Sequence, residues 1–147
     1  MQLLKKKVQD KNEEAVILQY AEWTKQFEDI RDYVLGQGKQ ITGYGEQKEM
    51  YQIPVVDILY FEAVGELVFA YTKEKVYEVK MRLYQVEEYL MDDKMVRGSK
   101  SVVVNIRHIR SVRPALNGRL YATMKNGEEI LISRQYAKDV TKKILAM

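Results

Sequence analysis

The sequence predicts a mainly β protein, antiparallel strands with small helices, preceded by an N-terminal amphipathic helix. Three observations carry this prediction. Apolar spacing is helical before Gly38 and strand-like after it. Beyond residue 50, short runs rich in Val, Ile, Tyr and Phe are separated by glycines or charged turns. Two Asn-Gly pairs, at 117–118 and 126–127, lie between apolar runs, which is the strongest short-range signal for a hairpin.

From residue 13 to 35, Val16, Tyr20, Trp23, Phe27, Ile30 and Val34 recur at alternating spacings of four and three, one face of a helix. Asn12 is placed to cap it, and Gly36 and Gly38 to stop it. The seam suits a short dimer coiled coil or packing on the chain's own β domain. Before it, "MQLLKKKV" reads as an edge strand whose lysines discourage pairing.

The boundary falls near residues 38–42, giving an N-terminal segment over 1–42 and a β domain over 43–147. "QITGYGEQKEMYQI" reads as two strands about a Gly43/Gly45 turn. "VVDILYFEAV", "ELVFAYT" and "VYEVKM" follow as an antiparallel meander broken at Gly65 and at "KEK". Leu83, Val86 and Leu90 share one face of a short helix, and Tyr136, Val140 and Ile144 line a terminal helix for which Ser133 is the candidate cap.

Composition narrows the chemistry. A chain of 147 residues, 46% hydrophobic and 31% charged, has the make-up of a globular domain with a real core. No apolar run approaches the roughly 18 residues of a membrane span, and the N-terminus lacks a secretory h-region, so the expected location is cytoplasmic. With no cysteine and one histidine, His108, neither a thiolate nor a histidine-rich metal site is expected. "GYG" lacks the strand–loop–helix context of a phosphate loop. Glu87 and Glu88 diverge by about 100° on a helix and read as a solvated face. Asp92 and Asp93 make no metal site by themselves. No catalytic residue, cofactor or small-molecule substrate is expected.

"VRGSKSVVVNIRHIR", residues 96–110, is the informative stretch. Val102, Val103 and Val104 call for a buried strand, while Arg97, Lys100, Arg107 and Arg110 crowd its ends. Residues 94–125 hold eight Lys and Arg and no acidic residue, the footprint of a polyanion-binding face or of a solvated face paired with acids brought in by folding. In "RGSKS", Gly98 lets the backbone turn, Ser99 and Ser101 offer hydroxyls, and Lys100 is a mobile charge between them. Such residues position a protein on a nucleic-acid backbone, and a Lys also reads guanine edges. Asn105 is expected to be structural at the strand end, and His108 to be a surface or capping residue.

"DILYFEA", "YEVKMRLYQVEEYL", "VRGSKSVVVNIRHIRSV" and "LNGRLYATMKNGEEILISRQY", followed by the closing helix, occur in the order and spacing of LytTR DNA-binding domains. Residues 43–145 resemble that family, the output module of many bacterial transcriptional regulators. The resemblance implies an almost wholly β fold without a helix-turn-helix. It further implies binding to direct repeats in promoter DNA through loops in successive major grooves, with the duplex bent.

By the same resemblance the DNA-facing loops fall at Val64, Gly65 and Glu66, at Ser99, Lys100 and Ser101 beside Arg97, and at Ser133, Arg134, Gln135 and Tyr136. Side-chain chemistry supports the second and third, which join hydroxyls to a cation. Glu66 repels phosphate unless it accepts from a cytosine N4 edge, and Gln135 stands where many members carry a second basic residue and can bond adenine.

Too few residues precede Gly43 for a receiver domain. Short members with a helical N-terminal segment resemble regulators held inactive by a small membrane protein. Val16 to Val34 then reads as a dimerisation or docking surface. The expected function is a sequence-specific transcriptional regulator acting as a homodimer on double-stranded promoter DNA. The alternative is a protein-interaction module whose basic face meets an acidic partner.

Overall fold

The computed structural model describes residues 1–35, 38–91 and 94–147. Two compact units result, Met1–Gly38 and Lys39–Met147. Gly36, expected to help stop the helix, and Asp92 and Asp93, expected to make no metal site by themselves, lie outside the described residues.

The first unit corrects the expected helix. α1 spans only Lys25–Val34, with Thr24 rather than Asn12 at its N-cap and no side-chain capping bond. Asn12 instead sits in a single 3-10 turn, Lys11–Glu13, capped by Asp10. Residues 14–24 have no regular structure. They include β-branched Val16 and Ile17 and aromatic Tyr20 and Trp23, poor helix formers, and a short helix needs a surface on which to bury its apolar face. Tyr20, Trp23 and Phe27 meet each other, with ring centroids 5.0–6.1 Å apart, and the Arg31 guanidinium lies over Trp23. "MQLLKKKV" forms no strand.

In the second unit, β1 (Gln40–Tyr44) and β2 (Met50–Pro54) form a hairpin. Its turn starts at Gly45, whose N–H donates to Glu49 O, while Gly43 is a strand residue paired with Tyr51. β3 (Ile58–Val64), β4 (Leu67–Thr72) and β5 (Val76–Val79) make the expected meander. After α2 (Leu83–Tyr89), β6 (Met95–Ser99) and β7 (Val102–Asn105) join the same sheet in the order β2-β1-β5-β4-β3-β7-β6. β8 (Ile109–Pro114), β9 (Leu120–Met124) and β10 (Glu129–Ile132) form a second antiparallel sheet, followed by α3 (Arg134–Leu145).

The two Asn-Gly pairs are both hairpins but are not equivalent. At 117–118 both residues have positive φ, +61 and +75, as a type I′ turn demands, whereas at 126–127 only Gly127 does, at +92.

The larger sheet separates two cores. On one face Phe61, Val68, Ala70, Val79 and Val103 pack on Leu83, Val86 and Leu90 of and beside α2. On the other, Leu59, Val96, Val102 and Val104 pack on Ala122, Met124, Ile130 and Ile132 and on Ala137 and Val140 of α3. The unbroken valine run follows from this, because β7 is buried on both faces and needs no polar alternation. A bulge between Ile58 and Tyr60 sends both Leu59 and Tyr60 to the second core.

Wholly buried Asn105 closes β7. Its Nδ2 donates to Ile58 O at 2.9 Å and its Oδ1 accepts from Arg107 N at 3.0 Å. Tyr60 stacks on Tyr71 at 4.4 Å. Burial first, then the Glu128 carboxylate beside its hydroxyl, pushes the Tyr60 phenol pKa upward.

Candidate nucleic-acid interface

Strand register brings three turns to one end of the larger sheet. The β3–β4 turn is a two-residue connection between paired Val64 and Leu67, with Gly65 at φ +62. Ala63 N donates to Ser101 O at 2.8 Å, which fixes this hairpin beside the β6–β7 turn. Ser133 N in turn donates to Gly98 O at 2.9 Å and Ser133 Oγ approaches the same oxygen at 3.5 Å, so the start of α3 is fixed beside β6. Residues 64–66, 99–101 and 133–136 therefore stand in a row.

Several predicted residues prove to shape this row. Arg97 donates from Nε to Ser99 O at 2.8 Å and from Nη2 to Lys100 O at 3.0 Å, and its Nη1 meets Glu87 Oε2 at 3.2 Å. A side chain so engaged braces the turn from behind. Glu87 is accordingly an anchor rather than a merely solvated carboxylate; ten residues of separation gave no sign of the pair.

Ser99 Oγ accepts from Ser101 N at 3.2 Å and lies 3.4 Å from Ser101 Oγ, tightening the same turn. Ser133 occupies the N-cap position of α3 without a side-chain cap, because its hydroxyl is directed to Gly98 O. Tyr136 is half-buried and packs against the second core.

Gly98 also differs from expectation. Its φ is not positive, and it lies at a bulge within β6 between Arg97 and Ser99. What limits the residue here is space, since a Cβ would stand 3.0 Å from Ile132 Cδ1, close enough that a side chain larger than a methyl must displace it.

Lys100, Arg134 and Gln135 are exposed, and among the described residues their side chains make no hydrogen bond or ion pair. Val64, Gly65 and Glu66 are exposed too. The acid-free window is not one face. β7 runs away from the row and β8 runs back, so Lys94, Arg107, Arg110 and Lys125 fall at the far end, where Ile106 N donates to Lys94 O and Lys125 N to His108 O. Arg113 pairs with Glu129 at 2.9 Å.

His108 is fixed at the far end by its Nε2 contact with Val56 O, 2.6 Å, beside a cleft of about 540 Å³ walled by Tyr51, Tyr77 and Leu59. That cleft is remote from the three turns. No helix among the described residues is long and apolar enough to cross a membrane.

A β scaffold that holds a row of turns rigid and leaves their cations unpaired is built for binding a polyanion at its loops. Comparison with known proteins makes the class definite. The model of the LytTr DNA-binding domain matches residues 48–145. Two uncharacterized HTH-type transcriptional regulators of Staphylococcus aureus, from strains COL and MRSA252, are 29% and 28% identical over 110 residues, 75% of this chain and 74% of each relative.

The solved LytTr DNA-binding domain of a putative methyl-accepting/DNA response regulator from Bacillus cereus superposes with a TM-score of 0.67 at 26% identity, covering 75% of this chain and 100% of that one. The chain belongs to the LytTr DNA-binding domain family, a DNA-binding and not an enzymatic class. The fold is that of the family, antiparallel sheets with short helices. Among the described residues no α-helix follows another without intervening strands, so the helix-turn-helix in the relatives' name has no counterpart here.

Proposed function

We propose that this protein is a sequence-specific transcriptional regulator that binds direct repeats in promoter DNA as a homodimer, in the cytoplasm, by setting its row of turns into successive major grooves. The observation that carries the reading is the pair of side chains Lys100 and Arg134, without a polar partner among the described residues, on adjacent turns tied by the Gly98–Ser133 bond. Lys100 and Arg134 are the phosphate- and base-contacting cations, Gln135 a base reader suited to adenine, and Ser99 and Ser101 hydroxyl partners of phosphate, while Ser133, its hydroxyl turned to Gly98 O, sets the start of α3 beside them. Arg97 acts as a positioning residue. Tyr136 anchors the start of α3, and Gly65 and Glu66 approach the duplex at the third turn.

Residues 1–42 supply the dimerisation or docking surface. Val16, Ile17, Tyr20, Trp23 and Val34 remain exposed, which supports a partner for them, either a second copy or a small membrane-protein inhibitor.

Selection of bound duplexes from a random library tests the reading. Recovery of two short repeats about one helical turn apart, with binding weakened by a half-turn shift in spacing, is expected. Retention that is salt-sensitive but yields no motif would replace it with a basic surface for an acidic protein partner. Deletion of residues 1–38 is expected to change oligomeric state or affinity, and no change in either would remove the role given to that segment.

A further inference from the structure

The β8–β9 turn is the surface feature that the three-turn reading leaves unused. Leu120 pairs with Ile132, the residue before Ser133, so residues 116–119 leave the second sheet at the end where α3 begins. The contact is direct: at Gly118, with φ +75, a Cβ would stand 2.9 Å from Arg134 Cγ and 3.1 Å from its Cδ. The stem of Arg134 thus lies on the backbone of this turn, and Arg119 is the next residue along it.

The turn is ordered and cationic. Ala115 N donates to Arg119 O at 2.8 Å, and Arg119 Nε donates to Leu116 O at 3.0 Å. That bond fixes the guanidinium near the tip at small entropic cost, and among the described residues Arg119 makes no ion pair. Leu116 at the tip is 78% exposed and no acidic residue occurs between 94 and 125. An exposed leucine and an unpaired, pre-set arginine beside Arg134 match the alternation of sugar and phosphate along a duplex edge.

We infer that residues 116–119 form a fourth DNA-contacting element, in which Arg119 binds a backbone phosphate flanking the one met by Arg134 and Leu116 packs on the adjoining deoxyribose. This rests on the DNA-binding reading above and extends the footprint beyond α3. A phosphate contact adds affinity without adding sequence information.

The test uses the full chain and a duplex recovered by selection, with binding followed by fluorescence anisotropy at several salt concentrations. Arg119→Ala is expected to weaken binding about three- to ten-fold on matched and mismatched sequences alike, and to make the log–log salt slope shallower by about one. Leu116→Ala, which keeps the Arg119 bond to the main-chain carbonyl, is expected to weaken it by a smaller factor. Trimming the flanking base pairs from the duplex is expected to weaken the wild type as Arg119→Ala does and to leave that variant nearly unchanged.

Lys125→Ala, at the far end, serves as the control. Wild-type affinity and slope in Arg119→Ala, with Lys100→Ala and Arg134→Ala still impaired, would overturn the fourth element and keep the three-turn reading. A wild type that retains no duplex removes both.

Discussion

Replacing Gly98 by Val separates the two turns that carry Lys100 and Arg134. The added Cβ meets Ile132 Cδ1 at 3.0 Å, and Ile132 is wholly buried. The two further methyls are added where Cγ1 of Val104 and of Val102 already stand 3.8 and 3.9 Å from that Cβ, so overpacking of about 1–3 kcal/mol is expected. Relief requires α3 to move off β6, which stretches the 2.9 Å bond from Ser133 N to Gly98 O and loses about 1 kcal/mol more.

The total, about 2–4 kcal/mol, corresponds at a urea m-value near 1.5 kcal/mol/M to a midpoint lowered by about 2 M. Gly98→Ala adds a single methyl against the flexible end of Ile132 on backbone outside the left-handed region, and is expected to stay within about 1 kcal/mol of wild type. Urea unfolding measures both, and anisotropy below the transition reads whether the surviving folded Gly98→Val protein has lost DNA affinity. A Val variant within about 0.5 kcal/mol of wild type would refute the packing argument.

Asn105→Ala leaves Arg107 N and Ile58 O without their partners inside a buried strand end, and is expected to lower stability by about 2–4 kcal/mol in the same assay while leaving base preference unaltered. Glu87→Ala releases Arg97 from the side opposite the turn. It is expected to reduce DNA affinity a few-fold with little change in stability, whereas Arg97→Ala, which also frees Ser99 O and Lys100 O, is expected to reduce it more.

The raised Tyr60 pKa means that the folded state keeps a proton the unfolded state gives up near pH 10, so stability falls as pH rises above about 10 and is unaffected below. Tyr60→Phe is expected to flatten that fall and to remove a late-titrating phenol from the absorbance titration. An identical alkaline profile would contradict the burial of its hydroxyl. Lys100→Ala should cost about 1–3 kcal/mol of binding free energy if it reads a base, and wild-type affinity in both it and Arg134→Ala would sink the site assignment.

Local signals are legible where a short stretch decides its own conformation. Asn117-Gly118 needs two positive φ values and has the residues for them, and Val102 to Val104 required burial on both faces. Where the outcome depends on distant partners, the sequence was silent or misleading. The regular spacing from Val16 to Val34 is helical in pattern, yet helix forms only from Lys25, since periodicity states which residues share a face and not whether anything covers it.

Arg97 was legible as a cation but not as a brace, because Glu87 lies ten residues away across a turn. Gly98 was legible as a special position for the wrong reason, its constraint coming from Ile132, 34 residues on. The acid-free window looked like one patch only because the chain reverses between β7 and β8. The turn at 116–119 is legible from Asn117-Gly118, while its neighbour Arg134 is set by the pairing of β9 with β10 and has no local signal.

The β7 strand, packed on both faces, has a mechanical consequence. The turn at its head is seated on two cores at once, and hydrogen bonds lash the neighbouring turns to it on either side. Such a comb has fixed tooth spacing: it cannot lengthen, shorten or fan out without unpacking a hydrophobic layer. Any double helix that meets every tooth must therefore supply the compliance itself, by curving or twisting. Operator sequences would then be selected partly for softness at steps no side chain touches, pyrimidine–purine steps above all, with bending energies of about 1–6 kcal/mol at stake.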